Sequence, residues 1–158
     1  MVVQLGEVDS GFVIWYREKE KGLRVDEGLR KATQEYLEFL SKLRNKYKDV
    51  IVISSPLPTI KDGVISGEVA NLRKEITASQ MERTKLSLRF NKTIKDKVEC
   101  MEGVHFLDLD PVSYDSKRGL VAEFLLRKDD FDHHYDESSY LKTIQPKLEI
   151  LLNSIYRV

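Results

Sequence analysis

The chain has 158 residues, of which 41% are hydrophobic and 33% are charged, a balance typical of one globular domain. Its 26 Lys and Arg residues match its 26 Asp and Glu residues, so no net field attracts it to nucleic acid or to an anionic membrane. Its apolar runs are far shorter than the roughly 20 residues of a membrane-spanning helix, and its single cysteine, Cys100, excludes an internal disulfide. Because the first residues also lack the features of a signal peptide, we expect a single cytoplasmic domain over residues 1–158.

Three short apolar runs predict buried strands. They are Val2–Leu5, Val50–Ser54 and Val104–Leu109. The second run ends before Pro56 and Pro58, which cannot continue a central strand. Each run carries apolar residues on both of its faces, which is typical of a parallel sheet covered by helices.

Apolar stripes with steps of three and four residues predict a helix in each interval between these strands. The first helix extends over about Asp26–Lys48, and Asp26 is a candidate cap for its first turn. The second carries the apolar stripe Met81–Met101. Ser79 and Glu82 stand before and within its first turn at the spacing of a capping box.

A closing helix is predicted by the apolar stripe Tyr140–Ile155, and Pro146 within it predicts a kink or a second segment. The least regular stretch, 61–76, is predicted to be a surface insertion. The alternation of strands and helices predicts an α/β fold with right-handed crossovers. Because the first strand begins at residue 2, its outer edge has no predicted partner. We expect either a preceding part of a longer chain or a second copy, as in a homodimer, to cover that edge.

Functional groups in open α/β sheets gather at the carboxyl ends of the strands. Here the strands are followed by Gly6–Gly11, by Ser54–Pro58 and by the region that begins at Asp108. This last region holds the most concentrated chemistry of the chain: Asp129, Asp130, Asp132, His133, His134 and Asp136. A His beside an Asp suits general-base catalysis, because the carboxylate fixes the imidazole tautomer and stabilises the imidazolium.

Two other interpretations of this acidic segment stay open. One is a solvated loop that leads into the closing helix, with Asp136 or Ser138 as its cap. The other is a zinc or manganese site, since His and Asp ligate both metals, although no second His or Cys cluster exists unless His105 contributes. We expect His105 to pack within the third strand instead, and we expect neither a metal nor a cofactor.

The segment Gly6–Gly11 also has two interpretations. Its glycines allow the backbone to approach a ligand and to direct N–H groups at an anion. The alternative is a tight turn between a strand and a helix. Trp15 and Tyr16, which follow this segment, are candidates either for a pocket wall or for the core.

Taken in chain order, these segments resemble the C-terminal part of the SGNH (GDSL-type) hydrolase family. Gly6-Glu7-Val8-Asp9 resembles the family's third signature block, a strand that ends in G-x-N-D, with Val8 in place of the Asn. It is closer to a subgroup with a G-E-I-D-C signature that is associated with polysaccharide synthesis, and Ser10 stands at the Cys position. The strand that runs into Pro56 and the acidic His segment before Tyr140 follow in the family's order.

The resemblance implies a three-layer α/β/α domain with a parallel flavodoxin-like sheet that lacks its first strands. It also implies a Ser-dependent esterase or acyltransferase whose substrate is a small-molecule or carbohydrate ester, such as an O-acetyl group. In the family's closing block, D-x-x-H, the His is the general base and the Asp orients it. Asp130 and His133 satisfy this spacing. The residues that follow fit the family better with His134 as the base and Asp130 or Asp132 as its partner, and the sequence leaves both open.

The position of the nucleophile is a second open question. The family's Ser belongs to a G-D-S block after the first strand, and this chain has no such block if Gly6–Asp9 is the third one. Alternatively, Asp9 and Ser10 form that block and Ser10 is the nucleophile, but two further β–α units should then precede the strand at Val50.

The resemblance assigns oxyanion or substrate-binding roles to the segment after the first strand, namely to Gly6, Glu7 and Asp9. The absence of the family's Asn at Val8 removes one expected oxyanion donor, a loss worth roughly 3–4 kcal/mol in other acyl-transfer enzymes. This absence favours a second hypothesis, a non-catalytic binding or assembly module with the same fold.

Overall fold

The three apolar runs form one parallel sheet in the computed structural model, which describes residues 1–63, 76–128 and 134–156. The strands are β1 (Val2–Val3), β2 (Val50–Ile53) and β3 (Val104–Leu107), and they lie side by side in chain order with β2 in the middle. Val2 pairs with Ile51 across the first interface. All three predicted strands are confirmed, and each ends one or two residues earlier than the apolar run predicts.

Three helices pack against one face of this sheet. They are α1 (Ile14–Lys21), α2 (Val25–Arg44) and α3 (Gln80–Val98). Side chains from α2 and α3 surround the β2 residues Val50 and Val52, both of which are fully buried. The buried members of this core on the described residues are Ile14, Leu29, Tyr36, Leu40, Leu43, Val50, Val52, Leu86, Phe90, Ile94, Val98 and Val104.

The alternate residues of β2, Ile51 and Ile53, face the closing helix α5 (Glu137–Tyr156). Leu107 and Leu109 complete this second core. No residue of α5 is fully buried, because this helix covers its sheet face without a neighbouring helix among the described residues. The helix continues through Pro146 as one element, so the second segment that the proline suggests does not form.

The chain between β3 and α5 is mostly loop, as expected, but it also contains short elements that were not predicted. It begins with a four-residue helix, α4 (Asp110–Ser113), and continues into an antiparallel hairpin of β4 (Tyr114–Asp115) and β5 (Leu120–Val121). Leu126 then forms an isolated bridge with Tyr135. These elements enclose a third small core of Leu57, Val121, Leu125 and Tyr135.

The segment Gly6–Gly11 is a turn followed by a helix, and the backbone is helical from residue 7 onward. A five-residue π-helical segment, Asp9–Val13, leads directly into α1. Gly6 forms the turn itself: its φ is +107°, and a Cβ at this position would overlap the ring of Phe90. The alternative interpretation, a tight strand-to-helix turn, is therefore the one that is confirmed.

The predicted caps of α2 and α3 have different outcomes. At α3 the capping box is confirmed, since Ser79 Oγ accepts from the Glu82 amide at 3.2 Å and Glu82 Oε2 accepts from the Ser79 amide at 2.8 Å. At α2 the cap position is Arg24, and Asp26 lies inside the first turn, where its charge favours the helix dipole instead. Most of the predicted insertion at 61–76 lies outside the described residues. In the described ranges, no helix is both long and apolar enough to cross a bilayer.

Candidate functional site

Polar side chains connect the carboxyl ends of all three strands. After β1, Gln4 donates through Nε2 to the Ser54 carbonyl at 3.0 Å and accepts at Oε1 from the Tyr140 hydroxyl at 2.9 Å. Ser54 Oγ in turn accepts from the Leu109 amide after β3, also at 3.0 Å. The carboxyl ends of the three strands, where the sequence predicts functional groups, are therefore linked to one another by hydrogen bonds. We call this end of the sheet the carboxyl edge and the opposite end the amino edge.

Asn91 on α3 holds the loop that follows β2. Its Oδ1 accepts from the Ser55 amide at 2.8 Å, and its Nδ2 donates to the Ser55 carbonyl at 3.0 Å and to Asp110 Oδ1 at 2.8 Å. The side chain is 2% exposed, so these bonds are shielded from competition by water. Asn91 therefore determines both the path of the loop and the position of the Asp110 carboxyl.

Asp110 is a partly buried carboxyl group at the start of α4. Burial raises its pKa to about 7, against the opposing effect of the hydrogen bond from Asn91, and the negative charge of Asp108 raises it further. Lys95 lowers the pKa of Asp110, and its ammonium is paired with Asp108 Oδ2 at 2.9 Å. Asp110 is thus a group that exchanges its proton near neutral pH.

Tyr135 lies between this carboxyl and the loop after β2. Its hydroxyl accepts from the Leu57 amide at 2.6 Å, and the side chain is 9% exposed. Burial raises the pKa of the Tyr135 hydroxyl far above its ordinary value, and the charges of Asp110 and Glu7 add to this effect. The two carboxyl groups are therefore within electrostatic range of the same hydroxyl.

The catalytic residues predicted from the resemblance are only partly visible. His134 is exposed and directly precedes Tyr135. Because the Tyr135 hydroxyl is bonded to the Leu57 amide, the backbone of His134 lies near the carboxyl edge. Asp130, Asp132 and His133 lie outside the described residues. The choice between the two histidines stays a prediction.

Ser10 lies in the π-helical segment and is fully buried. Its hydroxyl donates to the Gly6 carbonyl at 2.9 Å and shares a hydrogen bond with Ser87 Oγ of α3, also at 2.9 Å. The indole of Trp15 packs against the core and donates to the Ser10 carbonyl at 2.9 Å. Ser10 therefore joins two helices, and a nucleophilic role would require this hydroxyl to become exposed.

The predicted oxyanion residues separate onto two surfaces. The charge of Glu7 reaches Tyr135 at the carboxyl edge. Gly6 and Asp9 instead border a cavity of about 170 Å³ that is also lined by Tyr36 and Phe90. Burial raises the pKa of Asp9 there, partly offset by the nearby Arg17.

The metal interpretation has no support among the residues that the structure describes, where no three His, Cys, Asp or Glu side chains form a possible metal site. His105 lies on β3, as expected, at the opposite, amino edge of the sheet. Its Nε2 is 3.0 Å from Asp49 Oδ1. This histidine is therefore separate from the segment that contains His134.

Sequence reasoning missed the roles of Asn91, Asp110 and Tyr135. The signal for Asn91 was present, because it is a polar residue next to Phe90 within the apolar stripe of α3. A buried amide in such a position needs specific hydrogen-bond partners. The partners themselves are 36 and 19 residues away in sequence, and no local pattern indicates them.

Comparisons with protein-family models, with curated proteins and with solved structures found no match for this chain. Its class is therefore defined by its own architecture, an α/β fold with a small parallel sheet and five helices over the described residues. Polar groups from several elements meet at the carboxyl edge of that sheet, and they are the basis for inferring a function.

Proposed function

We propose that the protein is an SGNH-type ester hydrolase or acyltransferase-like domain that acts on an acyl ester, such as an O-acetyl group on a carbohydrate. The order of the strands supports this proposal. In a flavodoxin-like sheet with the order 2-1-3-4-5, the last three strands lie side by side in chain order. β1, β2 and β3 have this arrangement, with helices packed on both sheet faces. The proposed fold is thus the C-terminal part of a three-layer α/β/α domain.

The observation that carries the proposal is the attachment of Tyr135 to the loop after β2, because it keeps His134 beside the strand ends. In the proposed mechanism His134 or His133 removes the proton of a serine hydroxyl, which attacks the ester carbonyl. Asp130 or Asp132 orients the imidazole and stabilises its protonated form. The same imidazole then returns the proton to the leaving alcohol, and water or an acceptor alcohol releases the acyl group.

Turnover of p-nitrophenyl acetate and of an O-acetylated sugar by the full-length protein tests this function. We expect His134→Ala, His133→Ala or both to lower kcat by at least about 10³-fold, as removal of a catalytic base does in serine hydrolases. His105→Ala is the matched control, because this histidine lies at the opposite edge of the sheet and its loss should leave turnover unchanged. The proposal fails if neither ester is cleaved or if both variants keep the wild-type rate.

The exposed outer edge of β1 favours a second candidate, a non-catalytic assembly module. Residues 1–5 are uncharged, and Val2 and Leu5 are 48% and 49% exposed. Protected sheet edges usually carry charges or proline at such positions. The mass of the protein in solution distinguishes the candidates: an assembly module that pairs with a second copy through β1 gives a dimer, and Val2→Lys should return it to a monomer.

A further inference from the structure

The backbone amides after β2 and β3 are already engaged with protein acceptors. After β2, the Ser55 amide donates to Asn91 Oδ1 and the Leu57 amide donates to the Tyr135 hydroxyl. After β3, the Leu109 amide donates to Ser54 Oγ and the Asp110 amide donates to Asp108 Oδ1. All four distances lie between 2.6 and 3.0 Å. Acyl transfer depends on hydrogen-bond donors directed at the oxyanion that forms from the ester carbonyl. At these positions such a donor must therefore come from a side chain.

We propose that the neutral carboxyl group of Asp110 is this donor and binds the carbonyl oxygen of the acyl ester. The inference rests on the proposed function and deepens it. Asp110 keeps its proton throughout, so no bond within the residue forms or breaks. It strengthens its hydrogen bond as negative charge develops on the substrate oxygen.

The geometry of Asn91 determines which carboxyl oxygen carries the proton. Because Asn91 Oδ1 accepts from the Ser55 amide, its Nδ2 must face Asp110, and it donates to Asp110 Oδ1 at 2.8 Å. The proton therefore belongs on Oδ2, which has no hydrogen-bond partner among the described residues. Asp110 is only partly buried, which leaves this atom available to a ligand.

The charges around Asp110 favour the neutral form. Burial raises its pKa to about 7, and Asp108 adds to the effect while Lys95 opposes it. Lys95, the cation that opposes this effect, is itself paired with Asp108 Oδ2 at 2.9 Å. A carboxylic acid kept neutral by its surroundings is an effective oxyanion donor in principle.

The pH dependence of kcat/KM for p-nitrophenyl acetate in the full-length protein tests the inference. Asp110→Ala should lower kcat/KM on the order of 10²-fold at pH 6. Asp110→Asn keeps an N–H donor at every pH and still accepts from Asn91. The ratio of its rate to the wild-type rate should therefore rise about tenfold between pH 6 and pH 8, as the wild-type carboxyl loses its proton.

Asp49→Asn is the matched control, because Asp49 lies at the amino edge of the sheet and its ratio to wild type should not change with pH. Thermal unfolding of each variant verifies that it is folded. A pH-independent ratio for Asp110→Asn, or an unchanged rate for folded Asp110→Ala, overturns the inference while turnover that requires His134 still supports the proposed function. A wild-type protein without any ester turnover overturns both.

Discussion

The two edges of the parallel sheet each contain an Asp near a Tyr, and the pKa values of the two aspartates shift in opposite directions. At the amino edge, Asp49 accepts from His105 and, at 3.4 Å, from the Tyr156 hydroxyl. The bond with His105 holds the pKa of Asp49 below its ordinary value. At the carboxyl edge burial raises the pKa of Asp110 to about 7, and Tyr135 lies close by.

This difference shows that residue types alone do not identify a reactive site. Asp49 has a hydrogen-bonded His beside it, as a catalytic pair would, and this bond stabilises its carboxylate as an ion. Asp110 instead receives a side-chain hydrogen bond from the neutral Asn91 amide, and its partial burial makes ionisation costly. Raised pKa values of this second kind are more frequent at functional sites than elsewhere in proteins.

The largest expected effect comes from Asn91→Ala, which removes the hydrogen bonds that link α3 to Ser55 and Asp110 at the carboxyl edge. It leaves the buried Ser55 amide and carbonyl without partners and frees the Asp110 carboxyl. We expect a loss of about 3 kcal/mol in the free energy of unfolding, measured by urea denaturation. Thr93→Ala on the exposed side of the same helix is the control and should cost less than about 0.5 kcal/mol. Equal losses in the two variants would contradict the role given to Asn91.

A second pair of variants should have opposite effects at pH 8. The pKa of Asp110 is raised on folding, so its carboxyl stabilises the fold below the ordinary value of about 4 and this contribution is lost as the pH rises to about 7. Asp110→Asn should therefore be more stable than wild type by about 2 kcal/mol at pH 8 and gain little at pH 4.

Asp49→Asn should change the stability of the protein at pH 8 in the opposite direction. The pKa of Asp49 is lowered on folding, so its contribution is present above the ordinary value and is lost as the pH falls through the folded-state pKa. This variant should be less stable than wild type at pH 8 and approach it near pH 3. Thermal unfolding across this pH range measures both variants. If both variants were more stable, or both less stable, than wild type at pH 8, the two aspartates would not differ in electrostatic state as described.

The smallest effects come from removing one hydroxyl at each edge. Tyr135→Phe leaves the buried Leu57 amide without an acceptor and should cost about 1.5 kcal/mol. Tyr156→Phe removes a long, exposed bond and should cost less than about 0.5 kcal/mol. Because the chemical change is identical, the difference measures the combined effect of burial and of the hydrogen bond that each hydroxyl makes. Equal costs in chemical denaturation would show that the two tyrosines have equivalent surroundings.

Much of the fold was predictable because it depends on local patterns. The runs at Val2, Val50 and Val104 were identified as parallel strands since both faces of each run are apolar, and the capping box at Ser79 has a fixed spacing. The sequence leaves the turn at Gly6 as one of two interpretations, because the two glycines of Gly6–Gly11 are also compatible with a backbone that approaches a ligand. In the structure that segment packs against α3, where Ser10 shares a hydrogen bond with Ser87 Oγ.

The amino-acid sequence by itself determined the alternation of strands and helices and the edge at which polar groups would collect, because periodicity and chain connectivity are properties of neighbouring residues. Only the tertiary structure decided that Asn91 lies between Ser55 and Asp110, and that Ser10 is enclosed between helices. Hydrogen-bond partners and burial depend on residues that are remote in sequence. Because burial also sets the energy of a charge, the protonation state of Asp110 follows from the packing of the whole domain.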